Sequence, residues 1–61
     1  MRIQLEDNIL LIDNYIQIIS IAYDLIILEN IKIEGKDLNI VRLNPISLII
    51  KGNITSISIR S

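Results

Sequence analysis

Three carboxylates lie close together near the start of the chain: Glu6, Asp7 and Asp13. Paired carboxylates can catalyse acid–base reactions when burial separates their pKa values. Glu6 and Asp7, however, precede Asn8 in a segment whose residue types are typical of an exposed turn, where carboxylates are usually solvated. We therefore interpret this group as a turn and assign it no catalytic role.

Other residues that could act as nucleophiles or bind phosphate lack the neighbours that such chemistry requires. The chain contains no histidine, so a Ser–His triad is excluded and a Ser–Lys arrangement is only formally possible. Gly35 and Gly52 have neither the glycine-rich spacing nor the following helix of a phosphate-binding loop. The serines and lysines considered are Ser56, Ser58, Ser61, Lys32, Lys36 and Lys51. We expect these lysines to face water.

The composition excludes several further classes of function. Without cysteine or histidine, the chain has no disulfide or thiolate site and lacks the commonest metal ligand. The net charge is −1 without a basic cluster, which argues against a nucleic-acid partner. No apolar run approaches the roughly 20 residues of a membrane span, and the N-terminus has no signal-peptide pattern. The sequence therefore predicts no catalytic, cofactor-binding or metal-binding residue, and a cytoplasmic protein.

The apolar residues are mostly β-branched. Eighteen residues are isoleucine and eight are leucine, and isoleucine packs well on a pleated sheet but loses rotamer freedom in a helix. A chain of 61 residues buries only about 60% of its unfolded surface, so its core is marginal. With disulfides and thiolate metal sites excluded, we expect self-association to supply the missing stability.

Alternation of apolar and polar residues indicates strands with one buried face. The segment 16–28 could also be counted as an amphipathic helix, but its β-branched residues favour two strands. The residues expected on the buried face are Ile3, Leu5, Leu10, Ile12, Ile31, Ile33, Ile57 and Ile59. We predict strands near 2–5, 9–13, 15–22, 24–28, 31–34, 38–43, 47–51 and 54–60.

Three turns are expected from local residue types. Only Glu29 and Asn30 separate the predicted strands 24–28 and 31–34, so these strands must be joined by a tight hairpin. Asparagine tolerates the positive φ that two-residue hairpins demand. The segments 6–8 and 43–45 are the other turns, and Pro45 belongs in a loop or at a strand start because it lacks a backbone donor.

A five-residue phrase occurs three times, as "LLIDN", "IKIEG" and "LIIKG". Its last residue is Asn14, Gly35 or Gly52, and both residue types adopt a left-handed backbone easily, so each copy predicts a sharp bend. The apolar residues after Gly35 are displaced by one position, which one extra residue would explain. The adjacent apolar pairs 18–19 and 40–41 predict bulges. We expect residues 1–61 to form a single all-β domain, a small sandwich or twisted sheet of short strands with β-arch-like bends.

The order of these segments resembles the YabP/YqfC family of sporulation proteins. The resemblance rests on "RIQLEDNILLIDNYIQIISIAYDLI", then "IKIEGKDLNI", then "LIIKGNITSISI". It follows the family's arginine–isoleucine start, its asparagine bend, its Ile-x-Ile-x-Gly step and its Ile-x-Gly-x-Ile-x-Ser-Ile ending. The chain departs from the family at Tyr15, where histidine is frequent, at Ile59, where an aromatic residue is usual, and in its shorter 28–31 hairpin.

The resemblance implies a non-enzymatic protein made during endospore formation and associated with assembly of the spore coat or envelope. We expect it to act through β-mediated contacts, with itself or with a protein partner such as a membrane-anchored sporulation protein, at the developing spore surface. The alternative is a polymerising scaffold of growing cells, similar to bactofilins. A small enzyme or ligand-binding barrel is the least favoured class because few polar side chains are available to converge on a ligand.

Overall fold

The computed structural model describes residues 1–60, which fold into one antiparallel sheet of six strands. The strands are β1 (Arg2–Glu6), β2 (Ile9–Asp13), β3 (Ile18–Ile21), β4 (Leu25–Leu28), β5 (Ile31–Leu43) and β6 (Ser47–Ile59). Their order across the sheet is β1-β2-β6-β5-β4-β3. The predicted all-β fold is confirmed.

The prediction of eight separate strands is wrong at three places. Segments 31–34 and 38–43 are parts of the single strand β5, and segments 47–51 and 54–60 are parts of β6. The ladder continues through both glycines because bulges absorb the change of direction without ending the hydrogen bonding. The segment predicted as 15–22 is shorter, since β3 begins only at Ile18.

Bulges occur where the pattern of apolar residues loses its alternation. Val41 is an extra residue between Ile40 and Arg42, which pair with consecutive residues of β6. In the same way, Ile19 is extra between Ile18 and Ser20, opposite consecutive residues of β4. Both predicted bulges are confirmed, and each turns one apolar side chain away from the buried face.

The displaced middle copy of the repeat also contains an extra residue, as predicted. Lys36 pairs with Asn53, and Asn39 pairs with Lys51. Between these two pairs β5 therefore contains one residue more than β6. Within this bulge Asp37 has a φ of 54°. A fourth bulge lies in β6, where Ser56 and Ile54 pair with consecutive residues of β5 and Thr55 has no partner in the ladder.

These bulges bend the two longest strands. A straight strand of 13 residues would be about 40 Å long, yet the longest dimension of the molecule is 23 Å. Both β5 and β6 must therefore turn sharply, and they do so together near Gly35 and Gly52. The bend divides the sheet into two arms: arm 1 contains β1, β2 and residues 47–51 and 38–43, and arm 2 contains β3, β4 and residues 31–34 and 54–59.

The repeated phrase does mark bends, but its three last residues act differently. Asn14 has a φ of 59°, which confirms its predicted left-handed conformation. Gly52 has a φ of 157°, and a Cβ there would lie 2.7 Å from the backbone oxygen of Asp37. Gly35 is not left-handed, so that prediction is wrong; a Cβ at Gly35 would instead overlap the backbone oxygen of Asn53 on the facing strand.

The core is formed where the two arms close on each other. Its buried side chains come from alternate positions of four strands and form one cluster, so the apolar faces of both arms contribute to it. They are Leu10, Ile12, Ile26, Leu28, Ile31, Ile33, Leu38, Leu48 and Ile50. Burying each such side chain stabilises the fold by about 1.5–3 kcal/mol relative to leaving it exposed.

The predicted turns are in place, but the positive φ angles are distributed differently. Asp7 and Asn8 have φ angles of 47° and 68°, which describes a type I′ loop between β1 and β2. The connection between β4 and β5 is Glu29–Asn30, as expected, yet Asn30 does not have a positive φ, so that detail is wrong. Pro45 lies in the loop between β5 and β6, as predicted.

Candidate functional site

The free edges of the sheet are the most prominent feature of the surface. The strand order leaves β1 and β3 with one neighbour each. The bent strands add two more edges, because β4 pairs with β5 only over 32–34, and β2 pairs with β6 only over 47–51. Residues 39–43 of β5 and 54–59 of β6 therefore also have one paired side. A strand edge of this kind is a template for another strand.

An exposed apolar side chain lies beside the core at each of the four edges. Each is the cross-strand partner of a fully or almost fully buried residue, so it stands on the same face of the sheet as the core. The pairs are Leu5 with Leu10, Ile21 with Ile26, Leu43 with Leu48, and Ile59 with Ile31. The exposed members have 51%, 48%, 52% and 61% of their surface in contact with solvent. The apolar face thus continues to every edge and is uncovered there.

The four edges differ in regularity. β3 contains the bulge at Ile19, the free part of β5 contains the bulge at Val41, and the β6 edge contains the bulge at Thr55. Such bulges disturb the row of outward donors and acceptors and hinder pairing. β1, in contrast, pairs with β2 over five consecutive positions without a shift. Among residues 1–60, it is the edge that offers an undisturbed ladder.

The three carboxylates considered from the sequence are not brought together. Glu6 pairs with Ile9 beside the turn, whereas Asp13 pairs with Arg2 at the other end of the same hairpin. The two positions are four residue pairs apart, which corresponds to about 14 Å along the strands. Glu6 and Asp7 are exposed, in agreement with the turn interpretation.

Ser56, Ser58 and Lys32 lie on the outer face of arm 2, whereas Lys36 lies at the bend and Lys51 lies in arm 1. Ser58 lies directly across the ladder from Lys32, and Ser56 lies across from Glu34. The Lys32 Nζ is 3.3 Å from the Glu34 Oε1, and both side chains are about half exposed. In the part of the chain that the structure describes, no side-chain hydrogen bond joins Ser58 to Lys32. Ser61, the third serine considered, lies outside the described residues.

A shallow groove of about 300 Å³ crosses the outer face of arm 2. Its floor contains Ile19 and Ile27, and its rim includes Glu29, Lys32 and Arg60. Local sequence patterns do not predict this groove, because its walls come from four strands, the 29–30 turn and Arg60. The polar groups at its rim are of mixed sign and stand over an apolar floor, so the groove presents no set of donors that converges on one ligand.

Residues 1–60 contain no group of three or more histidine, cysteine, aspartate or glutamate residues that could hold a metal ion. Over the same residues, no helix has the length and apolar character needed to cross a bilayer.

Comparisons with known proteins do not assign the chain to a group. No protein-family model, no curated protein and no solved structure matches it with significant similarity. The resemblance to the YabP/YqfC family therefore stays a prediction, and the free edges are the feature on which a functional proposal can be built.

Proposed function

We propose that this chain is a non-enzymatic sporulation protein that serves as a structural or assembly module in formation of the endospore coat or envelope. It acts by pairing its strand edges with another β-strand, from itself or from a protein partner such as a membrane-anchored sporulation protein. Its place of action is the cytoplasm, at the surface of the developing spore.

The observation that carries this proposal is the uncovered apolar side chain at each free edge, such as Leu5 and Ile59. Covering half of a leucine or isoleucine side chain contributes about 1 kcal/mol. A strand added along the edge would cover these side chains and satisfy the outward backbone groups at the same time. Both effects would add to the stability of a protein of this size, since its own core is small.

The assignment to sporulation is supported by the ordered resemblance of the three bend segments to the YabP/YqfC family. The bends at Asn14 and Gly52 support this resemblance, because both residues have the positive φ that its bend pattern requires. Gly35 also lies at the bend, although close packing rather than a left-handed backbone accounts for it.

The second candidate is a polymerising scaffold of growing cells, similar to bactofilins. The observation that favours it is the presence of two different terminal edges, β1 and β3, on one sheet. Pairing β1 of one molecule with β3 of the next would build an open filament. The bulge at Ile19 acts against it, because it interrupts the β3 ladder.

The setting is tested by following the abundance of the protein in its own host through growth and then starvation. Appearance only in sporulating cells supports the proposed setting. Steady production during growth would contradict it and leave the scaffold as the better explanation.

The mode of action is tested with a pair of neighbouring variants on β6, each tagged and followed into purified spores. Ile59→Lys places a charge on the uncovered apolar face and is expected to reduce incorporation. Ser58→Lys is the matched control, because Ser58 points to the opposite face of the same strand and is already exposed. Equal incorporation of both variants would contradict assembly through this edge.

A further inference from the structure

The outward side of β1 can be read from its hairpin. A two-residue type I′ loop closes on a residue pair that exchanges both backbone hydrogen bonds, and here that pair is Glu6 with Ile9. Hydrogen-bonded and non-hydrogen-bonded pairs then alternate along the ladder. Arg2, Gln4 and Glu6 therefore direct their backbone groups toward β2. Ile3 and Leu5 direct theirs toward the free side.

The sequence of β1 is complementary to itself when two copies run antiparallel. With Gln4 opposite Gln4, Arg2 lies opposite Glu6 of the partner subunit, and Ile3 lies opposite Leu5 of the partner subunit. Residues directly opposite each other share a face. The outer face would therefore carry two Arg–Glu pairs, and the inner face would carry two apolar pairs beside the core.

The same register also satisfies the backbone. Ile3 and Leu5 hold the outward donors and acceptors, and in this register each stands opposite the other in the second copy. Each of the two pairs can exchange two N–H···O bonds. A register shifted by two residues places Arg2 or Glu6 opposite Gln4 and loses both ion pairs. A shift by one places Ile3 opposite Gln4 and sets an apolar face against a polar one.

We propose that β1 pairs with β1 of a second copy of this chain about a two-fold axis through Gln4, and that the protein is thereby a dimer with one continuous sheet. The occupant is a second copy because its charges and apolar residues complement β1 at every position. The other edges are less suited, since bulges interrupt them at Ile19, Val41 and Thr55. The inference deepens the proposed assembly function by naming the first contact, but its chemistry does not depend on the spore.

The interface would be small. Five residues from each copy form the new ladder. The surface area buried by so short a contact is expected to lie below the roughly 1,200 Å² of an ordinary stable interface. The dimer is therefore expected to dissociate on dilution. Leu5, which is half exposed in the single chain, would be covered by the Ile3 side chain of the partner subunit.

Sedimentation or light scattering over a wide range of concentrations, combined with charge exchange, tests the proposal. Arg2→Glu and Glu6→Arg each set two pairs of like charges against each other in the homodimer, so each is expected to weaken dimerisation about tenfold. An equimolar mixture of the two variants is expected to recover it, because every Glu then faces an Arg. The double variant Arg2→Glu/Glu6→Arg is expected to dimerise as the native chain does.

Arg42→Glu is the matched control for charge, because Arg42 is exposed and lies in β5, which β2 and β6 separate from β1. It is expected to leave dimerisation unchanged, and far-ultraviolet circular dichroism checks that every variant is folded. A native chain that stays monomeric up to about 1 mM, a concentration that detects even weak association, would overturn the proposal. Two weakened variants that do not recover on mixing would also overturn it. A dimer that is found in growing as well as sporulating cells would leave this inference intact while contradicting the sporulation setting.

Discussion

The hydroxyl of Tyr15 donates a hydrogen bond of 2.6 Å to the backbone oxygen of Asn44, 29 positions further along the chain. Tyr15 directly follows Asn14, whose left-handed backbone redirects the chain after β2. The backbone N–H of Asn14 also donates to the oxygen of Ile46, at 2.6 Å. These two bonds join the end of β2 to the loop between β5 and β6. The Tyr15 ring packs against the core as well, so one side chain connects the bend, the loop and the interior.

Replacing Tyr15 with phenylalanine tests the contribution of the hydroxyl alone. The ring stays in place, but the part-buried oxygen of Asn44 loses its donor, which is expected to lower the free energy of unfolding by about 1 kcal/mol. For a chain of this size the melting temperature should fall by about 5 °C. Tyr23→Phe is the control, because Tyr23 is 73% exposed. Equal effects of the two variants would show that the bond to Asn44 contributes nothing.

Gly35 provides a test between two explanations for the same residue. A left-handed bend would predict that Gly35→Val costs about 1–3 kcal/mol and that asparagine, which tolerates a positive φ, is accepted better than alanine. The structure instead places the backbone oxygen of Asn53 where a Cβ would stand. Any side chain then forces the two strands apart.

The overlap explanation therefore predicts that Gly35→Ala and Gly35→Asn are equally damaging, each by about 1–3 kcal/mol or more. Urea titration monitored by circular dichroism measures both, and Lys36→Ala, at an exposed neighbouring position, is the control. Clearly higher stability of the asparagine variant would restore the left-handed explanation. Unchanged stability of both variants would exclude close packing at this bend.

The alternation of apolar residues predicted which side chains are buried only for residues that do not lie at an edge of the sheet. Ile31, Ile33, Leu10 and Ile12 were expected to be buried, and they are, because the alternation of side chains along a strand is a local property. Leu5 and Ile59 show the same alternation and are nevertheless exposed. Their exposure follows from the order of the strands, which places them at edges, and no local pattern encodes that order.

Neither the role of Gly35 nor the identity of the strands that form the free edges could be predicted from local patterns, for the same reason. The overlap with Asn53 depends on a strand pairing 18 positions away along the chain. The sequence indicated a bend and a bulge near Gly35, and both are present. It could not indicate that the backbone of a facing strand fills the space beside the glycine.

Asn44 organises the loop between β5 and β6 through its side chain. Its Oδ1 accepts hydrogen bonds from the backbone N–H of Ile46 at 3.1 Å, and from both the N–H and the Oγ of Ser47 at 2.8 and 2.9 Å. Asn44→Ala removes all three and is expected to cost about 1–2 kcal/mol, since short polar side chains fix such turns. Asn53→Ala is the control because Asn53 is exposed. A thermal melt that shows no difference between the two variants would contradict this role.

Asn8 and Asn53 should respond in opposite directions to replacement by glycine. Asn8 has a φ of 68° in the type I′ loop, where glycine is preferred at the second position, so Asn8→Gly is expected to raise the free energy of unfolding by up to about 1 kcal/mol. Asn53 lies within β6 without a positive φ, and Asn53→Gly is expected to lower it by about 0.5–1 kcal/mol.

Asn8→Val extends the same argument, because a β-branched residue in the left-handed region costs about 1–2 kcal/mol. Chemical denaturation gives the three values directly. If Asn8→Gly were as destabilising as Asn53→Gly, the loop between β1 and β2 would not be type I′. The bonds from the Gly52 N–H to the Asn8 oxygen and from the Asn14 N–H to the Ile46 oxygen direct the even positions of β2 toward β6. The outward direction of Ile3 and Leu5, and with it the proposed register of the dimer, therefore does not depend on the loop type alone.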